Sequence, residues 1–282
     1  GSVIDSAKIT ALSIANSTDP WAIMKTKVKP TATIPLIAVL TLAATGTEMN
    51  GAAVLQNHET NEKIGFVSSF NYPKHSFLDP EYTYSVPKNY TAYGIADLIA
   101  HSLEGFFGEG DATLTDRFVE AIIKEAMEYG PLVLKDPENY EYRAKIMWAA
   151  TTALNGMTNY GRKSGDWGVH DIGHNISYLY DTPHGATLTI AYPAWLRLLK
   201  DRIPERISKL GEHLFGITSV EETINRLEKF FQSIDCPVRL SDIKIGKEKQ
   251  EELTQQLMKN EATGMVHKLD DEDRKKIVEL MM

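Results

Sequence analysis

The chain has 282 residues, of which 43% are hydrophobic and 24% charged, as is typical of a packed globular protein of one or two domains. Its net charge of -8 comes without a basic stripe, which argues against nucleic acid or anionic lipid as a partner and favours a small molecule. Cys236 is the only cysteine, so an internal disulfide framework and a thiolate metal cluster are excluded, and we expect a cytoplasmic protein.

The first part of the chain, residues 1–88, alternates short apolar runs with polar turns. Because the longest apolar run, residues 34–44, contains Pro35 and is too short to cross a bilayer, it predicts a buried strand. No charged segment followed by an apolar one opens the chain, so no secretory signal is expected. We predict an α/β segment, with strands near residues 35–40, 52–56, 64–68 and 76–78.

From residue 89 to residue 282 the apolar residues recur at helical spacing, which predicts an all-α domain. Residues 219–222 read Ser-Val-Glu-Glu, the pattern of a capping box at a helix start. The predicted helices include residues 95–106, 118–126, 138–158, 166–179, 185–199, 203–215, 219–234 and 270–281.

The residue types that carry chemistry are concentrated in this helical part. Asp97 and His101 are four residues apart, so they share one helix face, and His170 and His174 repeat that spacing. His184 follows at a predicted helix start. One carboxylate with neutral imidazoles suits Fe²⁺ or Zn²⁺, whereas the lack of a second carboxylate argues against Ca²⁺ or Mg²⁺. Spacing alone does not decide between His170 and His174 as a ligand.

Two motifs resemble the metal-binding signatures of the iron-dependent (group III) alcohol dehydrogenases. They are GIADLIAHSLE at residues 94–104 and VHDIGH at residues 169–174, which is followed by PHG at residues 183–185. Residues 143–150, RAKIMWAA, are similar to the butanol dehydrogenase and broad-range aldehyde reductase branch. The resemblance implies a reversible hydride transfer between NAD(H) or NADP(H) and a primary alcohol or aldehyde. We also expect a homodimer.

The same resemblance assigns the site residues of the helical domain. It implies that Fe²⁺ or Zn²⁺ is held by Asp97, His101, His170 and His184. His174 corresponds to a histidine near the nicotinamide and becomes the candidate catalytic residue, relaying a proton with a pKa near neutrality.

The nucleotide side of the site is also assigned by resemblance. Residues 40–48, LTLAATGTE, resemble the family's nucleotide-contacting loop, and residues 1–8, GSVIDSAK, resemble the end of its phosphate loop and the helix that follows. Residues 1–88 are therefore expected to be an incomplete Rossmann-like nucleotide-binding domain without its preceding βα units. Alternatively, the first two residues, Gly1 and Ser2, come from cloning and are not part of a phosphate loop. The implied cofactor-binding residues are Gly1, Ser2, Asp5, Thr41, Leu42, Thr47 and Lys63.

Two other interpretations remain open at this stage. A helical HD-type metal phosphohydrolase would use His101, the dipeptide His170-Asp171 and Asp181, but it gives Asp97 no role. A third possibility is a dehydrogenase chain that folds and binds metal but is inactive, because its nucleotide site is incomplete. The choice between NAD and NADP is also left open by these residues.

Overall fold

Eleven α-helices, five short 3₁₀ helices and four short strands make up the computed structural model, which describes residues 1–282. The N-terminal part contains α1 (Ser2–Asn16), α2 (Pro20–Met24), β1 (Ile37–Val39), β2 (Ala52–Asn57), β3 (Glu62–Val67) and β4 (His75–Phe77). The rest contains α3 (Lys88–Phe106), α4 (Thr113–Lys135), α5 (Tyr140–Ala153), α6 (Gly168–Tyr180), α7 (His184–Leu199), α8 (Pro204–Phe215), α9 (Val220–Ser233), α10 (Gln250–Lys259) and α11 (Asp271–Met281).

Strands occur at all four predicted positions, and they form two separate two-stranded sheets. The prediction that the first of them is buried is wrong, because Ile37 and Val39 of β1 are exposed. Strands β1 and β4 run parallel, with Ile37 opposite His75 and Val39 opposite Phe77. Strands β2 and β3 form an antiparallel hairpin against which α1 packs. These sheets are smaller than a doubly wound sheet, so the Rossmann-like character of this part stays a prediction. No helix is both long and apolar enough to cross a membrane.

Buried apolar residues form two clusters. The larger contains 46 residues between Ala92 and Met281, and the smaller contains 6 residues contributed by α1, α2 and the hairpin. The clusters lie on either side of residue 88, where the sequence predicts a domain boundary. The predominantly helical nature of residues 89–282 is confirmed, although α10 was not predicted.

Helix α3 is the central element of the larger cluster, because 15 of its 19 residues are buried. Helix α7 begins directly against it. A Cβ atom added to Gly185 would lie 2.7 Å from the carbonyl carbon of Tyr93 and closer still to its oxygen, so only glycine permits this approach. The close contact brings the start of α7, with His184, beside the stretch of α3 that carries Asp97.

Candidate metal and active site

The predicted metal ligands converge from three helices on one carboxylate oxygen. Asp97 Oδ1 lies 3.5 Å from His101 Nε2 and 3.8 Å from both His170 Nε2 and His184 Nε2. Ligand atoms of Asp97, His170 and His184 all lie within 4.8 Å of one another. His101 stands outside this trio but approaches Asp97 most closely, from one turn further along α3.

The donor set fits a single divalent ion. Metal–ligand bonds of about 2.1 Å in a tetrahedral site place neighbouring ligand atoms about 3.4 Å apart, slightly less than the 3.5–3.8 Å between Asp97 Oδ1 and the three imidazole nitrogens. Asp97 Oδ1 and His170 Nε2 are also buried without a hydrogen-bond partner. Because an unpartnered buried polar atom destabilises a fold, both atoms require another partner, and a metal ion supplies one.

Burial is the largest influence on the pKa of each of the three imidazoles, but the resulting pKa values differ. It lowers the pKa of His101 to about 4 and that of His184 to about 3, with Asp97 opposing the shift in each. Burial acts in the same direction on His170, but the neighbouring carboxylates of Asp97 and Glu104 outweigh it and raise the pKa to about 9. Without metal at neutral pH, His170 is therefore the one imidazole of the cluster that is protonated on both ring nitrogens and carries a positive charge.

Asp97 remains a carboxylate in this environment. Burial raises its pKa, but the favourable charge interactions with His101, His184 and His170 outweigh it, so the pKa lies well below its usual range. An ionised carboxylate and neutral imidazoles are the forms that bind metal.

Glu104 belongs to this site, although the sequence did not single it out as a functional residue. Its buried carboxylate accepts a hydrogen bond from His170 Nδ1 at 2.8 Å. The available signal was its position seven residues after Asp97, which places both on one face of α3. What the sequence could not give is the helix against which that face packs.

His174 follows His170 by one turn of α6 but is not part of the metal-ligand trio. Its ring centroid lies 5.1 Å from that of His184 and 6.5 Å from that of His170. Burial, followed by the charges of His184 and Lys63, lowers the pKa of His174 well below its ordinary value. The near-neutral pKa expected from the sequence is therefore wrong for this environment, and His174 is neutral at pH 7.

The metal cluster opens into a large cleft of about 940 Å³. The cleft is also lined by Gly1, Ser2, Asp5, Leu42, Thr47 and Lys63, six of the residues predicted to contact a nucleotide. Thr41, predicted with them, is exposed and does not line the cleft, because the chain turns at this point so that Leu42 faces inward. A nucleotide contact by Thr41 therefore has no support in the structure.

Two of these cleft residues already have partners within the protein. Asp5 accepts hydrogen bonds from Thr47 Oγ1 at 2.5 Å and from the backbone amide of Val54 at 3.0 Å. Lys63 donates to Ser177 Oγ at 2.9 Å, and burial lowers the pKa of its ammonium group. Asp5 thus stabilises the junction of α1 with the β2 strand, whichever ligand the cleft takes.

The ligand order of an HD-type phosphohydrolase is not reproduced. Asp171 accepts a hydrogen bond from the backbone amide of Thr263 at 3.0 Å and is outside the metal-ligand trio. Asp181 is exposed and does not line the cleft. The carboxylate at the centre of the cluster is Asp97, which that interpretation leaves without a role.

Comparison with known proteins gives matches along most of the chain. The sequence profile described as "Iron-containing alcohol dehydrogenase" matches residues 1–80, and "Fe-containing alcohol dehydrogenase family, C-terminal" matches residues 91–282. The probable NADH-dependent butanol dehydrogenase 1 of Bacillus subtilis is 38% identical over 282 residues, which cover 97% of this chain and 73% of that protein.

Other relatives extend the comparison to a second nucleotide and to solved structures. The NADPH-dependent aldehyde reductase YqhD of Escherichia coli is 36% identical over 252 residues, 86% of this chain and 65% of that protein. The crystal structure of NADH-dependent butanol dehydrogenase A from Thermotoga maritima matches with a TM-score of 0.94 and 34% identity, covering 100% of this chain and 74% of that one.

Proposed function

Because the chain belongs to the iron-containing alcohol dehydrogenase family, we propose that it transfers a hydride reversibly between NADH or NADPH and an aldehyde, forming the primary alcohol. The observation that carries this proposal is that the Asp97 cluster opens into the same cleft as the predicted nucleotide-contacting residues. A hydride donor and a polarised carbonyl can meet in such a cleft. The butanol dehydrogenases and the aldehyde reductase among the relatives support this substrate class.

In this proposal Asp97, His101, His170 and His184 together hold one Fe²⁺ or Zn²⁺ ion. A bound ion of this kind acts as a Lewis acid that polarises a carbonyl oxygen and stabilises an alkoxide. The chain contributes one negative charge and three neutral nitrogen donors, and the burial of Asp97 keeps water from competing for that charge.

His174 is the proposed proton relay. Since its pKa lies well below 6.5, the ring is neutral at pH 7 and can accept a proton as an alcohol is oxidised, or pass one on in the reverse direction. Its ring lies beside that of His184 within the cleft, so it is close to the metal cluster without occupying a ligand position.

The nucleotide is proposed to lie along the part of the cleft formed by the N-terminal residues. Gly1, Ser2, Leu42, Thr47 and Lys63 would contact it, with Asp5 holding Thr47 in place. Relatives that use NADH and NADPH are both present, so either nucleotide is a candidate. A homodimer is proposed as the assembled form.

The proposal is tested by following the oxidation of NADH and NADPH with butanal, using protein loaded with Fe²⁺ or Zn²⁺ and the same protein stripped with a chelator. We expect reductase activity that requires the metal, together with about one equivalent of bound metal. Hydrolysis of a phosphodiester such as bis(p-nitrophenyl) phosphate, without any nucleotide oxidation, would instead favour the phosphohydrolase.

A further inference from the structure

Glu104 joins the two helices that carry the predicted metal ligands. It is 1% exposed and lies near the end of α3, facing the start of α6. Its Oε1 atom accepts hydrogen bonds from both the side-chain Nδ1 of His170, at 2.8 Å, and the backbone amide of the same residue, at 3.0 Å. Its Oε2 atom accepts from the backbone amide of Trp167 at 2.6 Å.

These contacts replace a missing helix cap. Trp167 is the N-cap residue of α6, and its side chain makes no capping hydrogen bond. A cap oxygen ordinarily accepts from the second or third amide of the helix, and the amide of His170 is the third. Glu104 therefore performs from α3 the function that a serine or aspartate performs at an ordinary helix start.

The backbone at Trp167 is strained in a way that serves this contact. Its φ of 64° lies in the left-handed region, which a bulky side chain rarely adopts. Such strain persists only where the surrounding structure enforces it. The turn it produces lets the amides of Trp167 and His170 converge on one carboxylate.

The contact between Glu104 and Nδ1 also determines which ring nitrogen of His170 is available to bind a metal. An ionised carboxylate only accepts hydrogen bonds, so Nδ1 carries the hydrogen of this contact, and Nε2 is the nitrogen left to donate its lone pair to a metal ion. That Nε2 atom faces Asp97 Oδ1 at 3.8 Å and has no hydrogen-bond partner. Backbone and ring of one residue are thus held by a single oxygen, which leaves the ring little freedom to rotate.

We propose that Glu104 is a positioning residue, which holds the His170 imidazole with Nε2 directed at the metal site and aligns α6 with α3. The inference depends on the proposed metal site and adds to it a residue that does not touch the metal. Removal of such a partner of a metal-bound histidine typically costs 10–100-fold in metal affinity.

Asp166 provides a matched control. It is fully buried and accepts a hydrogen bond from the backbone amide of Gly168, so it also holds the start of α6. Its other partners are the backbone amides of Val266 and His267, and it contacts no imidazole of the metal cluster. Asp166→Asn therefore perturbs the same helix start without releasing the His170 ring.

The first test measures Zn²⁺ affinity by competition with a chromogenic chelator, for the unaltered protein, Glu104→Gln and Asp166→Asn, with the folded fraction determined by circular dichroism. We expect affinity to fall roughly 10–100-fold in Glu104→Gln and to be unchanged in folded Asp166→Asn. Equal affinities in the unaltered protein and Glu104→Gln would overturn the role of Glu104 alone. Failure of the unaltered protein to bind Zn²⁺ would overturn the metal site as well.

A second measurement needs no variant, so it decides the matter even if Glu104→Gln does not fold. Long-range ¹H–¹⁵N spectra of the Zn²⁺-loaded protein, with ¹⁵N-labelled histidine, report which ring nitrogen carries hydrogen. We expect His170 to show a protonated Nδ1, with its hydrogen strongly deshielded by the carboxylate, and a metal-bound Nε2. Zinc on Nδ1, or a freely exchanging Nδ1 hydrogen, would contradict the proposal.

Discussion

The imidazoles of His101 and His170 stack face to face, with ring centroids 4.7 Å apart and planes inclined by 19°, although they belong to different helices. Each directs Nε2 at the same oxygen of Asp97. Two stacked rings could not both carry a charge at this separation without strong repulsion. The arrangement therefore favours at least one neutral ring, as a shared metal ion requires.

Removal of a ligand should remove the metal. We expect His184→Ala, purified without chelator, to lose most of its Fe or Zn. The variant lacks one of the three residues, Asp97, His170 and His184, whose ligand atoms lie within 4.8 Å of one another. His75→Ala is the control, since His75 is an exposed residue on β4. Elemental analysis of both variants provides the measurement, and full metal retention by His184→Ala would count against this ligand set.

His174 should behave differently from His170. In metal-loaded protein we expect His174→Ala to keep its metal but to lose roughly 10²–10⁴ in turnover, the usual contribution of a positioned acid or base. His170→Ala should lose the metal itself. Metal content and turnover measured on the same preparations separate the two roles, and equal metal loss in both variants would defeat the distinction.

The contact between α7 and α3 should not tolerate a methyl group. In Gly185→Ala the new Cβ would overlap the backbone of Tyr93, so the start of α7 must move away and take His184 with it. We expect a loss of about 1–3 kcal/mol in the free energy of unfolding, typical of overpacking, together with weaker Zn²⁺ binding. Gly65→Ala, whose Cβ would have only one neighbour, at 3.9 Å, is the control for denaturant unfolding. Equal stability of the two variants would contradict the contact.

Metal uptake at pH 7 should release about one proton. The pKa of His170 is raised to about 9, so this residue is protonated in the metal-free protein, whereas those of His101 and His184, at about 4 and 3, leave both rings neutral. Zn²⁺ affinity should consequently rise about tenfold per pH unit and level off near pH 9. Calorimetry in two buffers of different ionisation enthalpy counts the protons, and a count near zero would refute the assignment of the proton to His170.

The sequence predicted those parts of the site that depend on spacing within one element. The separation of Asp97 and His101 by one helical turn sufficed to place both on one face of α3. The same rule could not choose between His170 and His174, because both lie on one face of α6 and only the position of α3 and α7 separates them. For that distinction the family resemblance was needed.

Features that depend on contacts between elements were missed. The role of Glu104 arises where α3 meets the start of α6, 63 residues from Trp167 along the chain. The exposed position of Thr41, away from the cleft, could not be predicted, because the direction of a side chain in an irregular loop does not follow from its neighbours in sequence. Helix α10 carries no motif, and its burial of Leu253 and Leu257 becomes evident only from the packed structure.

The unequal size of the two apolar clusters implies that the two parts of the protein differ in how often they open locally. The free energy of local opening follows the amount of buried apolar contact, so the 6-residue cluster beneath α1 and the hairpin should open far more often than the 46-residue cluster around α3. In hydrogen exchange, amides of the hairpin should lose protection before those of α3 and α6. One wall of the cleft can then loosen to admit and release a soluble cofactor, while the helices around Asp97 stay closed and retain the metal from one turnover to the next.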